Sequence, residues 1–255
     1  MAVTVSICLQ KGGVGKSTTA QALASTLGFK GKKVLLVDMD SQANVTYASG
    51  VNEPEKNVYD VLIDECSVTD AIVKCERYDI LPSSSYMTNW ELIESVPEAL
   101  KIVLKEIQNK YDFVIIDTPP ALGNSLVNAL VASDYIIIPT EPRPYAIQGL
   151  GSLYDTINSV QNSLNPRLKV LGILLIKFNH RTVLNRQIEE ILEDFTSHMG
   201  TKVFSTTIRE GVAVAEAQMM QKPLIDYAKN SKPNIDYKAF TNEFLKMVEG
   251  VTDYE

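Results

Sequence analysis

Several things are scarce in this chain of 255 residues, and each scarcity excludes something. There are three cysteines, Cys8, Cys66 and Cys75, which are too few to frame a disulfide scaffold. No CxxC pair or Cys/His cluster marks a zinc site, and His180 and His198 lack the spacing of metal ligands. No apolar run reaches the ~18 residues a spanning helix needs. The N-terminus enters an apolar strand at once, with no charged leader. A cytoplasmic protein is expected. Positive charge is also in short supply. The net charge is −7, which argues against tight static binding to nucleic acid. Residues 1–159 carry 12 Lys/Arg against 19 Asp/Glu, and residues 160–255 carry 12 against 12. Any basic surface is therefore expected in the C-terminal third.

What is present is ordinary for a soluble globular protein. Hydrophobic residues make up 45% and charged residues 22%, enough for a sizeable core. Short continuous apolar runs recur at Val3–Leu9, Val34–Val37, Phe113–Ile116, Tyr135–Ile138 and Val170–Ile176. Strands buried on both faces read this way. Tyr78–Leu81 and Lys202–Phe204 are weaker candidates. Helical stretches lie between them at Thr18–Phe29, Asn57–Leu62, Trp90–Asn109, Gly123–Ala132, Gly149–Ser163, Asn185–Met199 and Ile235–Val248. The alternation predicts an α/β fold, a doubly wound and mostly parallel sheet flanked by helices. With no repeat, low-complexity tract or linker, residues 1–255 are expected to form a single domain.

The first strand runs into Lys11-Gly12-Gly13-Val14-Gly15-Lys16-Ser17-Thr18, and a helix follows. Strand, glycine loop and helix are the setting of a phosphate-binding loop. The glycines let successive backbone N–H groups turn inward on phosphate oxygens, and the helix N-terminus adds partial positive charge there. Lys16 offers a point charge to the β- and γ-phosphates, and the Ser17 hydroxyl a ligand to Mg²⁺. Lys11 is a second lysine at the other end of the loop. It is either a solvated surface charge or a group that reaches another nucleotide.

Two strand ends carry carboxylates. Asp38-Met39-Asp40 closes the second strand, and a pair spaced this way beside a phosphate loop can orient a metal or a water, or simply cap the next helix. Phe113-Val114-Ile115-Ile116-Asp117 delivers one Asp to a strand end, as a Walker B element does, where the carboxylate accepts from the water shell of magnesium.

The motif KGGVGKST resembles the deviant Walker A loop of the ParA/MinD superfamily of P-loop NTPases. DxDSQxN at 38–44 is similar to that family's DxDPQxN, with Ser41 in place of proline. DTPPALG at 117–123 resembles the ParA/Soj branch more than its relatives. The resemblance covers essentially the whole chain. It implies an ATPase using ATP and Mg²⁺, with slow intrinsic turnover, that forms a homodimer on binding ATP. It implies that Lys11 crosses the dimer interface to the partner's nucleotide, that Asp40 positions the attacking water, and that Asp38 supports magnesium and the loop. It places Phe178 and Asn179, with Lys177, beside the adenine, and Ile208 and Arg209 nearby. A plain strand leading into a surface loop fits the same letters. The implied partners are non-specific DNA and a ParB-like centromere-binding protein, in a short form without an operator-binding domain. The implied work is plasmid or chromosome partition.

One departure bears on DNA. Ala213 stands where chromosomal-type members often carry a DNA-binding arginine. Arg181, Arg186, Lys202, Lys222, Lys229 and Lys232 are the alternatives. Three rival readings differ in kind. A MinD-like regulator would act on membrane or protein cargo, but its basic amphipathic end is replaced here by the acidic Glu249–Glu255, and no stable membrane binding is expected. A reductase or metal-cluster carrier would need cysteines at the dimer face. A tyrosine kinase would need more than the single Tyr254 near the end.

Overall fold

Five Val-, Ile- and Leu-rich runs lack the polar alternation of a half-exposed strand, so they are stable only where both faces are covered. The computed structural model describes residues 1–94, 96–143, 146–179, 183–198 and 200–250, and in it these runs lie side by side. They are β1 (Val3–Ile7), β2 (Val34–Asp38), β5 (Phe113–Asp117), β6 (Tyr135–Thr140) and β7 (Lys169–Leu175). With β3 (Val73–Lys74) and β4 (Asp79–Leu81) they make one seven-stranded sheet in the order β3-β4-β2-β5-β1-β6-β7. Every pairing is parallel except β3 with β4.

Helices occupy the crossovers. In chain order they are α1 (Lys16–Phe29), α2 (Asn44–Ala48), α3 (Val58–Leu62), α4 (Val68–Ala71), α5 (Met87–Trp90) and α6 (Ala99–Lys105). Then come α7 (Asn124–Ala132), α8 (Ala146–Ser163), α9 (Val183–His198), α10 (Ala213–Met219), α11 (Leu224–Tyr227) and α12 (Lys232–Glu249). Successive strand residues feed opposite faces. Val34 and Leu36 pack with Leu23 and Leu27 of α1 and with Phe240 and Phe244 of α12. Leu35 and Val37 pack the other way, with Val61, Trp90 and Leu104. Ile136 and Ile138 meet Leu130 of α7, Leu153 of α8 and Leu192 of α9.

The doubly wound sheet is the expected one, with three local corrections. Of the single helix foreseen over Trp90–Asn109 only α6 forms, and α5 ends at Trp90. Pro97 lies in the gap, where it disfavours helical backbone at Val96. Lys202–Phe204 is no strand; Val203 makes one parallel bridge to Ile173. The short helices α2, α4, α10 and α11 had no periodic signal to reveal them. His180, Arg181, Thr182, Met199 and the tail from 251 to 255, Tyr254 included, lie outside the described residues.

Candidate nucleotide-binding site

The register of three adjacent strands builds the site. Ile7 pairs with Asp117, and Asp38 pairs with Asp117 on the other side. The glycine loop after β1 and both aspartates therefore arrive at one edge of the sheet, beside the point where the chain reverses its winding direction. Open α/β sheets bind ligands in this crevice. Thr118 ties the edge together, its hydroxyl donating to the Ile7 carbonyl at 2.9 Å. The Met39 N–H donates to the Asp117 carbonyl at 2.9 Å.

The loop takes the backbone form that its glycines permit. Gly13 has φ 74° and Gly15 φ 69°, and Gly15 forms the N-cap of α1. A Cβ on Gly15 would also lie 2.6 Å from Ile176 Cδ1. Val14 is buried in the core and anchors the loop. Gly12 and Gly13 are exposed, and Ser17 and Thr18 are half-buried at the start of α1. Thr18 Oγ1 accepts from Gln218 Nε2 of α10 at 3.0 Å, which links the loop to the far end of the chain.

The two lysines differ in kind. Lys16 is buried, and its Nζ donates to the Lys11 carbonyl at 2.9 Å. Burial lowers its pKa, and attraction to Asp117 and Asp40 works against that. The Lys11 side chain is half-buried and makes no hydrogen bond or ion pair among the described residues.

The three aspartates also differ. Asp38 is fully buried and spent on its own loop. Its Oδ1 accepts from the Asp40 N–H at 3.0 Å, and its Oδ2 from the Thr46 N–H at 3.0 Å and hydroxyl at 2.7 Å. Burial pushes its carboxyl up to about 6, these hydrogen bonds pull it down, and the Asp40 charge adds to the rise. Asp40 accepts from the Gln42 N–H at 3.0 Å, and its carbonyl takes the Ser83 hydroxyl at 2.8 Å. Asp117 is fully buried, and neither carboxylate oxygen completes a hydrogen bond. Burial raises its pKa well above the ordinary value, Asp38 and Asp40 raise it further, and Ser17 and Lys16 are close enough to oppose the rise. A buried carboxylate with open lone pairs, next to a lysine and a serine, fits a magnesium–nucleotide complex. Protein cages for magnesium are rare, and it is usually held by a few side chains and the phosphates. In keeping with this, no cluster of three or more His, Cys, Asp or Glu is set to hold a metal among the described residues.

The base-side residues are brought together, but their side chains are largely committed. Ile176 bridges Ile208, and the Phe178 N–H donates to the Ile208 carbonyl at 2.9 Å. Segments 175–179 and 207–209 thus run side by side. The side chains of Phe178 and Ile208 are 2% and 3% exposed and sit in the core. Asn179 is exposed. Arg209 is held by Asp236, with Nη2 to Oδ1 at 2.6 Å and Nε to Oδ2 at 2.8 Å. Lys177, at φ 50°, gives its ammonium to Glu141 at 2.6 Å. Glu141 directly follows β6, is buried and also pairs with Arg143 at 2.6 Å.

Several supporting residues carried no sequence signal. Thr46 and Ser83 hold the two aspartates from a stretch without motif. Glu91 accepts from the N–H groups of Asn124 and Ser125 at 2.6 and 3.0 Å, so it caps α7 directly after the DTPPALG loop. A Cβ on Gly123 would meet that carboxylate, so a larger residue there requires the Glu91 side chain to move. Cys8 is buried beside the loop, and burial pushes its thiol up to about 12, which keeps it an inert core residue.

Comparison with known proteins agrees with this geometry. A family model described as an AAA domain matches residues 2–170. The sporulation initiation inhibitor protein Soj of Bacillus subtilis is 39% identical over 241 residues, covering 91% of this chain and 94% of that protein. The chain belongs to the ParA/Soj family of ATPases. Its likeness to solved structures covers nearly the whole chain. The plasmid partition protein of Borrelia burgdorferi bound to AMPPNP superimposes with TM-score 0.82 at 30% identity, covering 97% of this chain and 100% of that one. Cobyrinic acid a,c-diamide synthase of Mycobacterium smegmatis, with ADP and magnesium, gives 0.80 at 29% identity, covering 98% and 96%. Among the described residues of this ParA/Soj member, no helix is long and apolar enough to cross a membrane.

Proposed function

We propose that this chain is a DNA-partitioning ATPase that works as a nucleotide-switched dimer. The reading rests most on the unlike lysines of the glycine loop. Lys16 is turned into its own loop, whereas Lys11 is free to act outside it. In this reading Lys16 and the loop N–H groups bind the phosphates of ATP, and Lys11 reaches the nucleotide of a facing subunit. Ser17 and Asp117 would hold Mg²⁺, Asp117 through coordinated water, with Asp38 supporting the loop behind them. Bound there, the ion neutralises charge on the phosphate oxygens. Asp40 orients a water toward the γ-phosphate, and its position is set by Gln42 and Ser83. Water adds to phosphorus as the bond to ADP breaks, which leaves ADP and inorganic phosphate. The closed dimer binds non-specific DNA, hydrolysis opens it, and a ParB-like partner accelerates that step.

Mobility shift on long non-specific duplex of several kilobases, with ATP, ADP or no nucleotide at two salt concentrations, tests this reading. ATP-dependent, salt-sensitive binding is expected. Asp40→Ala should hold the DNA-bound state, and Lys16→Ala should bind no ATP and show no ATP-dependent gain in DNA binding. Tight ATP binding by Lys16→Ala would sink the assignment of the loop.

A further inference from the structure

The opposite end of the sheet has the opposite charge character. Around the N-terminal ends of β1, β5 and β6 lies a cavity of about 780 Å³. Its rim carries Lys101, Lys105, Arg167 and Lys169, and its one carboxylate is Asp134. Asp134 is already engaged by the Thr4 N–H at 2.9 Å. None of the four cations is in a salt bridge among the described residues. A second cavity of about 510 Å³ is lined by Lys33, Lys74 and Lys110 but also by Glu76 and Asp79, so the excess of unpaired cations belongs to the first. A chain of net charge −7 therefore gathers unpaired cations at one pole.

Helix C-termini also collect at this pole, and their partial negative charge favours a cation at each. That effect acts within the last turn of a helix. It accounts for Lys105 at the end of α6, and not for Arg167 and Lys169, which belong to the turn before β7 and to its first residue. The spacing suits a polyanion with regular charges. Lys101 and Lys105 stand one helical turn apart, about 6 Å along α6. Arg167 stands in the turn closed by the Leu168 N–H on the Asn165 carbonyl, two residues before Lys169 opens β7.

We propose that this pole is the DNA-backbone site of the protein, taking the place of the arginine missing at Ala213. The proposal rests on the partitioning reading above, and it adds a mechanism for the ATP dependence. Nucleotide binds at the C-terminal ends of the strands, so subunits that meet there point their basic poles away from each other. Each subunit carries a complete but weak site of its own. Dimerisation makes the particle bivalent, and long DNA that can fold back then gains affinity by effective concentration, with no change in either site. A short duplex reaches only one pole and gains nothing.

The test compares a duplex of about 20 base pairs, far shorter than the ~150 base-pair persistence length, with a relaxed plasmid of several kilobases. Binding is measured for the wild type with ATP and with ADP. ATP should strengthen binding to the plasmid at least about tenfold and leave the short duplex unchanged. The combined variant Lys101→Ala, Lys105→Ala, Arg167→Ala, Lys169→Ala should bind the short duplex at least about tenfold more weakly. Its salt slope should fall by about 3 to 4, near 0.9 per lost phosphate contact. Its ATP turnover without DNA and its ATP-driven dimerisation should match the wild type, which also certifies its fold. The milder pair Lys101→Gln, Lys105→Gln should lose about half the salt slope.

If these variants bind DNA as the wild type does, even with a lowered melting temperature, the cations only compensate helix ends and the proposal fails. The partitioning reading then survives wherever the wild type still binds in an ATP-dependent way. ATP-strengthened binding to the short duplex would refute the bivalent mechanism. A wild type that binds no DNA in any nucleotide state would overturn both.

Discussion

Replacing Asp117 with asparagine isolates the cost of the site. The wild-type carboxyl is fully buried, has no completed hydrogen bond, and is pushed well above its ordinary value of 3.8 by burial first and by Asp38 next. A carboxyl whose folded pKa exceeds its unfolded pKa binds protons more tightly when folded. Its protonated form fits at little cost, so below the unfolded value the native state is not penalised. As pH rises from there toward the folded value, the unfolded state ionises first and stability is lost, by about 1.4 kcal/mol per pH unit. Asparagine has nearly the same shape and no charge to lose. In nucleotide-free protein with a chelator, Asp117→Asn and wild type should unfold alike near pH 4. The variant should gain stability over the wild type as pH rises and be the more stable of the two at pH 7. For a domain of this size each kcal/mol of that gain is a rise of about 2–4 °C in Tm. With Mg²⁺ and ATP the order should shift back, because the wild type regains stability from the ligand and the variant regains less. Urea unfolding between pH 4 and 8 measures the difference. A stability gap that does not change with pH, or a variant less stable at pH 7, would refute the argument that Asp117 is an uncompensated carboxyl.

Two further substitutions probe the frame. Gly28 lies in the last turn of α1, where helix propensity alone favours alanine by about 1 kcal/mol. A Cβ there would lie 1.7 Å from the Arg77 carbonyl oxygen, so Gly28→Ala should instead lower Tm sharply, by about 3 kcal/mol or more in stability, and a raised Tm would contradict the packing. Thr46→Val keeps the shape but removes the hydroxyl that donates to Asp38 and accepts from the Ser83 N–H at 2.9 Å. It should cost about 2 kcal/mol by urea unfolding and slow ATP turnover more than it weakens nucleotide binding, since the loop carrying Asp40 loses its anchor.

Local letters and local periods were enough for the centre of this molecule. The glycine loop, Asp38, Asp40 and Asp117 could be placed because each follows a continuous apolar strand, and parallel register then brings strand ends together. Residues 45 to 100 could not be read in the same way. Apart from α3, which falls on the foreseen Asn57–Leu62, the helices α2, α4 and α5 are one turn or slightly more, too short for a 3.6-residue pattern, and Pro97 lies inside what looked like one long helix. The contacts that tune the aspartates join distant segments, as Ser83 does to Asp40 and Glu91 to α7, and such contacts leave no spacing to find. Charge along the chain is likewise only part of the picture. The sequence divides into an acidic part and a balanced C-terminal third, which pointed to that third for a basic surface. Folding places Lys101 and Lys105 from the acidic part next to Arg167 and Lys169, so the basic pole belongs to neither half.

The central claim is that Lys11 serves a second subunit while Lys16 serves its own. Sedimentation of wild type, Lys11→Ala and Lys16→Ala with ATP, alongside ATP binding measured on the same samples, tests it directly. The account predicts that wild type dimerises with ATP, that Lys11→Ala still binds ATP but stays monomeric and hydrolyses it more slowly, and that Lys16→Ala binds none. A Lys11→Ala protein that dimerises and turns over ATP as the wild type does would contradict it.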